Sequence, residues 1–566
     1  MNGALLLAIV IACFAAGYFL YSRRLARMLG VDPSRPTPAH AKRDGVDFVP
    51  AHPMVLFGHH FATIAGAGPI VGPVLAAQFG WLPVVLWVVF GCIFIGAAHD
   101  MIAMFLSVRH GGESIGSVIG TVLGRGGKTL FLLFSWSALV LVVAEFTRQV
   151  AGTFVAEPGV ATASLLFMVE AVAFGLCVNR LRVSVLAASI VFVPLMFAFV
   201  WIGSLVPLDL VKYGLDGETA RAVWTVVLLV YCFVASTCPV WLLLQPRDYL
   251  NSYLLYAMMA LGFLGVFVAH PQLSTDVFAG FAVAGRGGAV EWLFPFLFVT
   301  VACGACSGFH ALVASGTSAK QLDSEKSIRP VAYGGMLLEG VLATIAIVGV
   351  AGTYAGQAAY SDAIKGMEPV QMFANSIAGF CVGAGIPLRA AESFMLLSVS
   401  AFLMTTIDSS TRLARFSLQE LVGAGGGSER GAAPGAVARI VGNMYFAAFA
   451  VVALVACLLL GAPKTSKHLW TIFASANQLL AALTLLAATL WFVRNRKPCL
   501  ATAIPMVFMF CVSSIALGML SWKSFNSESP DLVKGCATLF LLVLAAILAV
   551  LAARSVRRDL ASRRSA

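Results

Sequence analysis

The chain has 566 residues, 60% of them hydrophobic and only 11% charged, and its mean hydropathy is +0.91. No soluble domain hides that much apolar surface in a core, so the composition excludes a water-soluble globular protein and specifies a polytopic membrane protein. The formal charge of +11 does not point to nucleic acid: the basic residues form short clusters between apolar segments, with no aromatic-basic recognition motif, and they report topology.

The first apolar segment, about Gly3 to Tyr21, has no basic residue before it and Arg23, Arg24 and Arg27 directly after it. That asymmetry makes it an uncleaved anchor with its N-terminus outside. The polar stretch to His52 carries Pro33, Pro36 and Pro38 among Arg35, Lys42 and Arg43, and reads as a cytoplasmic linker. Apolar segments of spanning length follow near 53–76, 82–107, 128–155, 160–178, 183–206, 222–244, 251–270, 290–315, 331–353, 391–411, 439–461, 468–492, 500–522 and 533–553. With the first, they predict roughly fifteen membrane helices. Alternate threading places Arg109, Arg125, Arg180, Arg182, Arg247, Lys320, Lys326, Arg329, Arg412, Arg415, Arg494, Arg496, Lys497 and the Arg-rich tail after Arg554 on the cytoplasmic side. Pro369 to Pro387 would reverse every later loop if it spanned, and its Gln371, Asn375 and Ser376 make it a re-entrant or surface helix outside the membrane core. Gly423 to Gly435 reads as a flexible cytoplasmic linker. The cysteines lie almost entirely in apolar segments, and Cys303 and Cys306, one turn apart, are assigned to packing rather than to metal or redox chemistry.

Two of these segments should not form unbroken helices. The run GHHFATIAGAGPIVGP, Gly58 to Pro73, sets glycines and prolines at mid-span, where backbone groups leave the helical ladder and need partners in protein or in a water-filled cavity. Segment 290–315 repeats the pattern in ACGACSGFHALVASG. An odd number of spans separates the two, so they run in opposite directions, as in an inverted repeat whose paired discontinuous helices bind substrate near the midplane. Gly66, Ala67, Gly68 and Pro69 of the first and Gly304, Ser307 and Gly308 of the second are the expected substrate-binding positions. The competing reading is plain close packing of helices through small residues. The chain then divides into an anchor and basic linker (1–52), a first repeat with additional helices (53–289), a second repeat (290–492, linker 412–438), and two further helices with a basic tail (493–566).

Charged groups in hydrocarbon cost several kcal/mol, so those present are functional or paired. His59, His60, His99, Asp100, His310, Glu339 and Asp408 fall at one depth in the cytoplasmic half. His59, His60, His99, Asp100, His310 and Asp408 are read as a proton relay, against the alternative that each histidine is a satisfied packing residue. A metal site is not expected, because adjacent His59 and His60 diverge by about 100° on a helix. Glu145 and Arg148, spaced i,i+3, either neutralise each other or offer a guanidinium to a substrate carboxylate. Glu170 stands alone in its segment.

The run from Gly58 to Asp100, with its His-His and His-Asp motifs, resembles the signature of the carbon-starvation protein A family of bacterial inner-membrane transporters. That resemblance implies uptake of pyruvate or peptides when preferred carbon is exhausted, with proton coupling for pyruvate. Phe402-Leu-Met-Thr405-Thr406-Ile-Asp408-Ser409 is similar to a core-helix pattern of betaine/choline/carnitine carriers, which share the LeuT-type inverted-repeat fold. It implies a sodium-type site from Phe402, Thr405 and Thr406 facing backbone carbonyls of Ala62 and Ala65. The expectation is therefore an all-α polytopic, LeuT-like secondary-active symporter in the lipid bilayer. It would import a small molecule on an H⁺ or Na⁺ gradient, with no cofactor and no nucleic-acid partner; the oligomeric state is left open. A membrane-embedded His/carboxylate enzyme and a nutrient sensor are the competing classes, and no HExxH, GxSxG or P-loop motif favours the enzyme.

Overall fold

Polar caps and long apolar runs between them set the helices. Asn2, Ser114, Ser184, Asp216 and Asn443 each accept hydrogen bonds from backbone amides of the first turn that follows, satisfying donors that an apolar helix cannot. The computed structural model describes residues 1–44, 48–286, 290–423, 436–466 and 468–564. Among these, 13 helices are long and apolar enough to cross a membrane. Beside them stand a pair, Pro53–Ile64 and Gly68–Phe79, bent by 45°, and a shorter apolar helix, Met444–Leu460. Together they account for every apolar segment read from the sequence. The described strands are one antiparallel ribbon, Ala282–Ala284 against Val290–Trp292, with Val283 opposite Glu291.

Burial sorts the helices into a core and a rim. The most apolar 18-residue window within Leu293–Gln321 is 94% buried, whereas that of Val185–Leu205 is 17% buried. A single hydrophobic cluster runs from Ala4 to Leu548, so the four sequence segments share one core. The glycine-rich residues 424–435, within the expected linker, lie outside the described residues.

Two sequence expectations change here. Segment 128–155 belongs to a longer helix, Ile115–Ala156, kinked at Gly124, whose φ of 77° suits glycine alone. The Pro369–Val382 helix is no surface helix: Met372, Phe373, Ala374, Ile377 and Ala378 are buried, and it packs among Leu244–Ala269, Gly335–Thr353 and Leu388–Leu421. Its 14 residues are too short to span, which leaves the re-entrant alternative.

The two ends of the bundle are chemically distinct. At one, the Gly3 amide donates to the Pro271 carbonyl (2.7 Å) and the Trp81 amide to the Asp276 carbonyl (3.1 Å). At the other, the basic loops meet: Arg109 pairs with Glu325 (2.9 Å), His40 with Asp323 (2.9 Å), and Lys497 donates to the Leu29 carbonyl (2.7 Å). The grouping matches the threading, which places the first set outside and the second inside.

Candidate substrate and proton site

Both unusual segments are broken. In the first, the helix stops at Ile64 and restarts at Gly68 with Pro69 in its first turn, where a missing amide hydrogen costs nothing. In the second, Leu293–Val301 gives way to a short turn at Ala302–Gly304 and extended Ser307 before Gly308–Val313. The breaks pack directly on each other. A Cβ added at Gly68 would lie 2.5 Å from the Cys303 Cβ, and one at Gly72 would lie 2.6 Å from the Val301 carbonyl oxygen. Only glycine permits that approach.

The freed backbone groups find partners on one helix, Leu469–Arg494. Trp470 donates to the Thr300 carbonyl and Gln478 to the Phe298 carbonyl. Asn477 accepts from the Phe309 amide (2.8 Å) and donates to Ser307 (3.0 Å) and Cys303 (3.3 Å). Sequence reading missed Asn477 and Gln478, although two adjacent amides inside an apolar segment were the signal.

Between the breaks lies an occluded pocket of about 10 Å³, lined by Gly66, Gly68, Phe146, Cys303, Thr406 and Phe473 among others. That is room for about one water. On the side threaded outward opens a cleft of about 1550 Å³, lined by Glu145, Arg148, Arg221, Arg286, Glu291 and Glu368, among others. Phe146 and Phe473, packed edge to face with centroids 5.4 Å apart, line the pocket, and Glu145, next to Phe146, lines the cleft. The expected substrate residues therefore divide. Gly66 and Gly68 line the pocket, Ala67 and Pro69 flank the first break, and Ser307 and Gly308 flank the second. The Gly304 carbonyl accepts from the Cys92 thiol. Glu145 and Arg148 belong instead to the cleft, because adjacent residues on a helix diverge by about 100° and their face is not the one that carries Phe146. They do pair: Arg148 donates to Glu145 at 2.8 and 3.1 Å.

Of the residues expected in the histidine layer, His99, Asp100 and His310 meet, together with Glu339. Asp100 holds His99 at 2.7 Å through one oxygen and His310 at 2.8 Å through the other, and the far nitrogen of His310 faces Glu339 at 3.3 Å. All four side chains are fully buried. His60 bonds Ser318 at 2.8 Å. Such a set of two carboxylates and two imidazoles can accept or release a proton while keeping the others compensated. His310 directly follows Phe309, which lines the pocket.

The family model of carbon starvation protein CstA matches residues 2–365 and 353–516. This chain belongs to the CstA family. It is 31% identical to the peptide transporter CstA of Bacillus subtilis, over 98% of this chain and 97% of that protein. It is 37% identical to the pyruvate/proton symporter BtsT of Escherichia coli, over 60% of this chain and 47% of that protein. Among solved structures it is similar to MhsT in complex with L-phenylalanine, at 11% identity with a TM-score of 0.49, covering 88% of this chain and 99% of that one. The CstA-family chain is thus a multi-pass membrane transporter and not an enzyme.

Two further sets of expected residues meet specific partners in the CstA-family chain, and the first is a correction. Asp408 does not join the histidine layer. It forms an ion pair with Arg247 and accepts from the Tyr231 hydroxyl at 2.6 Å. Arg247, threaded into a cytoplasmic loop, is fully buried near the start of Leu244–Ala269, so the carboxylate is neutralised where it stands. Next to it in sequence, Asp248 faces His59 at 3.6 Å, which draws His59 out of the layer as well. The residues of the sodium-type set have partners of their own. Ala62 and Ala65 are buried on the first broken helix, and Thr406 lines the pocket while donating to the Phe402 carbonyl (3.0 Å). Thr405, however, receives a hydrogen bond from the side-chain amide of buried Asn251, which also donates to the Ala401 carbonyl at 3.1 Å. That donor takes one of the two lone pairs of the hydroxyl, which in turn donates to the Ala401 carbonyl.

Proposed function

We propose that this transporter is a proton-driven importer of a small carboxylate, pyruvate or a short peptide, in the inner membrane of a bacterium short of preferred carbon. Substrate binds between the two breaks of a LeuT-like inverted repeat, with the N-terminus outside and the C-terminus in the cytoplasm. The observation that carries the reading is the Asp100–His310–Glu339 set, fully buried and one residue removed from the pocket wall at Phe309. Loading or unloading a proton there changes the charge packed directly behind the second break, so protonation and the shape of the pocket are linked. Sodium coupling is disfavoured by the Asn251 amide at Thr405.

Pyruvate, the smaller of the two candidates, asks for the lesser enlargement of a pocket of about 10 Å³. A short peptide is favoured by the outer cleft, whose volume of about 1550 Å³ far exceeds what a three-carbon acid fills. Uptake of labelled pyruvate and of a labelled dipeptide into proteoliposomes, with pH and sodium gradients imposed separately, tests the proposal. Accumulation of either substrate on the pH gradient alone is expected. Accumulation that requires sodium would overturn the coupling, and none of either substrate under either gradient would overturn the substrate class.

A further inference from the structure

The outer cleft contains a carboxylate held in an unusual way. Glu145 is fully buried and takes two donors of Arg148, and Gln149 donates to the same carboxylate at 2.7 Å. That leaves Arg148 fixed in orientation with its remaining amino group, Nη1, turned toward Glu368 at 3.6 Å. The second oxygen of Glu368 meets Arg286 at 3.3 Å, and Arg286 also donates to the Met367 carbonyl at 3.3 Å. Charge-assisted bonds between arginine and carboxylate ordinarily close to about 2.7–2.9 Å. Glu368 therefore spans two guanidiniums, in a long hydrogen bond from Arg286 and with Arg148 beyond hydrogen-bond distance, and its side chain is about a third exposed to the cleft. Arg221 lines the same cleft.

We propose that Glu368 is a resident stand-in for a substrate carboxylate: it occupies the Arg148–Arg286 pair until an incoming carboxylate, from pyruvate or from the C-terminus of a peptide, takes its place. The proposal rests on the reading that the transported molecule carries a carboxylate. The exchange is local and balanced, one carboxylate leaving two guanidiniums as another arrives, with Arg221 at hand for the second negative charge. Its consequence reaches the first break. Glu368 caps the Pro369–Val382 helix, which forms a hairpin with Gln357–Gly366. That hairpin grips the outer half of the broken helix: Tyr360 donates to the Val74 carbonyl at 2.6 Å, and Gln357 donates to the Ala77 and Gln78 carbonyls at 3.1 Å. Displacing Glu368 frees the hairpin at the point that ties it to Arg148, so recognition in the cleft loosens the element clamped to Gly68–Ala76. Capture and opening of the path to the pocket thereby become one event.

The test is thermal unfolding of the purified full-length protein in nanodiscs, titrated with pyruvate, a dipeptide, methyl pyruvate and the dipeptide amide. The wild type should be stabilised by the two carboxylates and not by the ester or amide. Glu368→Gln removes the competitor, so half-saturation should fall roughly threefold. Arg286→Gln should raise it about fivefold, by removing one of the two guanidiniums. The pyruvate and dipeptide arms identify which source supplies the carboxylate. Equal stabilisation by the uncharged analogues, no stabilisation by either acid, or an unchanged half-saturation in Glu368→Gln would overturn the inference. Should Glu368→Gln unfold too readily, Glu368→Asp, too short to span both arginines, must shift half-saturation in the same direction. Uptake on the pH gradient with unaltered half-saturation in these variants would sink this inference and leave the proposed function standing. Carboxylate exchange seen in unfolding, without uptake under either gradient, would do the reverse.

Discussion

The inner and outer polar clusters use the same chemistry under opposite constraints. In the inner set, Asp100 accepts from two histidines at 2.7 and 2.8 Å, and His99, Asp100, His310 and Glu339 have no solvent contact. In the outer set, Glu368 lies 3.3 and 3.6 Å from its arginines and faces a cleft of about 1550 Å³. Buried charge leaves little freedom, because removing one partner strands the other in low dielectric. Half-exposed charge exchanges partners readily, because water and incoming ions substitute at little cost. The proposed proton coupling calls for the first kind of site, and the proposed carboxylate exchange for the second.

The contrast can be broken at the inner set most severely. Asp100→Asn leaves His310 facing Glu339 without its compensating carboxylate, at a cost of about 3–5 kcal/mol, so uptake on a pH gradient should fall by on the order of 100-fold. Substrate exchange at equal pH on both sides should survive, since it needs no net proton movement. Gradient-driven accumulation that persists in Asp100→Asn would remove the layer from the coupling mechanism. The packing that joins the two regions comes next. Gly72→Ala places a Cβ against the Thr300 and Val301 carbonyls, which cannot rotate away, so stability should drop by about 1–3 kcal/mol, visible as a lower Tm. An unchanged Tm would mean the helices have room to part.

Two smaller effects sharpen the comparison. Replacing sodium by choline should change uptake by less than about twofold, because the Asn251 amide already satisfies Thr405 and Ala401. A larger loss would restore the cation site. The outer clamp should also be nearly indifferent to pH. Burial pushes the Glu368 carboxyl up, but Arg148 and Arg286 outweigh it and hold the group below its ordinary 4.5. A depressed value makes the contact fully present above that ordinary value and lost only as pH falls through the lower, folded one. Carboxylate half-saturation in the unfolding titration should therefore stay flat between about pH 5 and pH 8. A steep change in that window would show that another group titrates in the cleft.

Much of the fold was legible because each relevant signal is local. A run of apolar residues specifies a span, basic clusters bias its sense, and Gly66, Gly68 and Pro69 together weaken the helical ladder where they stand. The pairing of the two breaks also followed, since parity is counted along the chain. Asp408 shows where such reading stops. Its depth matched that of Asp100, yet depth along the membrane normal is silent on azimuth, and the helix Leu388–Leu421 turns Asp408 toward Arg247 and Tyr231 rather than toward His310. Glu145 and Arg148 were correctly paired by their i,i+3 spacing, but neighbours on a helix diverge by about 100°, which turns Phe146 to the pocket and Glu145 to the cleft.

The sequence by itself determined the class of molecule, the helical spans, the position of both breaks and the residues with chemistry to contribute, because hydrophobic length and backbone preference act over a few residues. Tertiary structure alone decided partnership: that Asp100 joins His310 and Glu339, that Asn251 claims Thr405, that Asn477 supports the second break and that Glu368 reaches two arginines. Those contacts link residues far apart in the chain, and their geometry is fixed by how helices rotate and pack against one another, which no local pattern encodes.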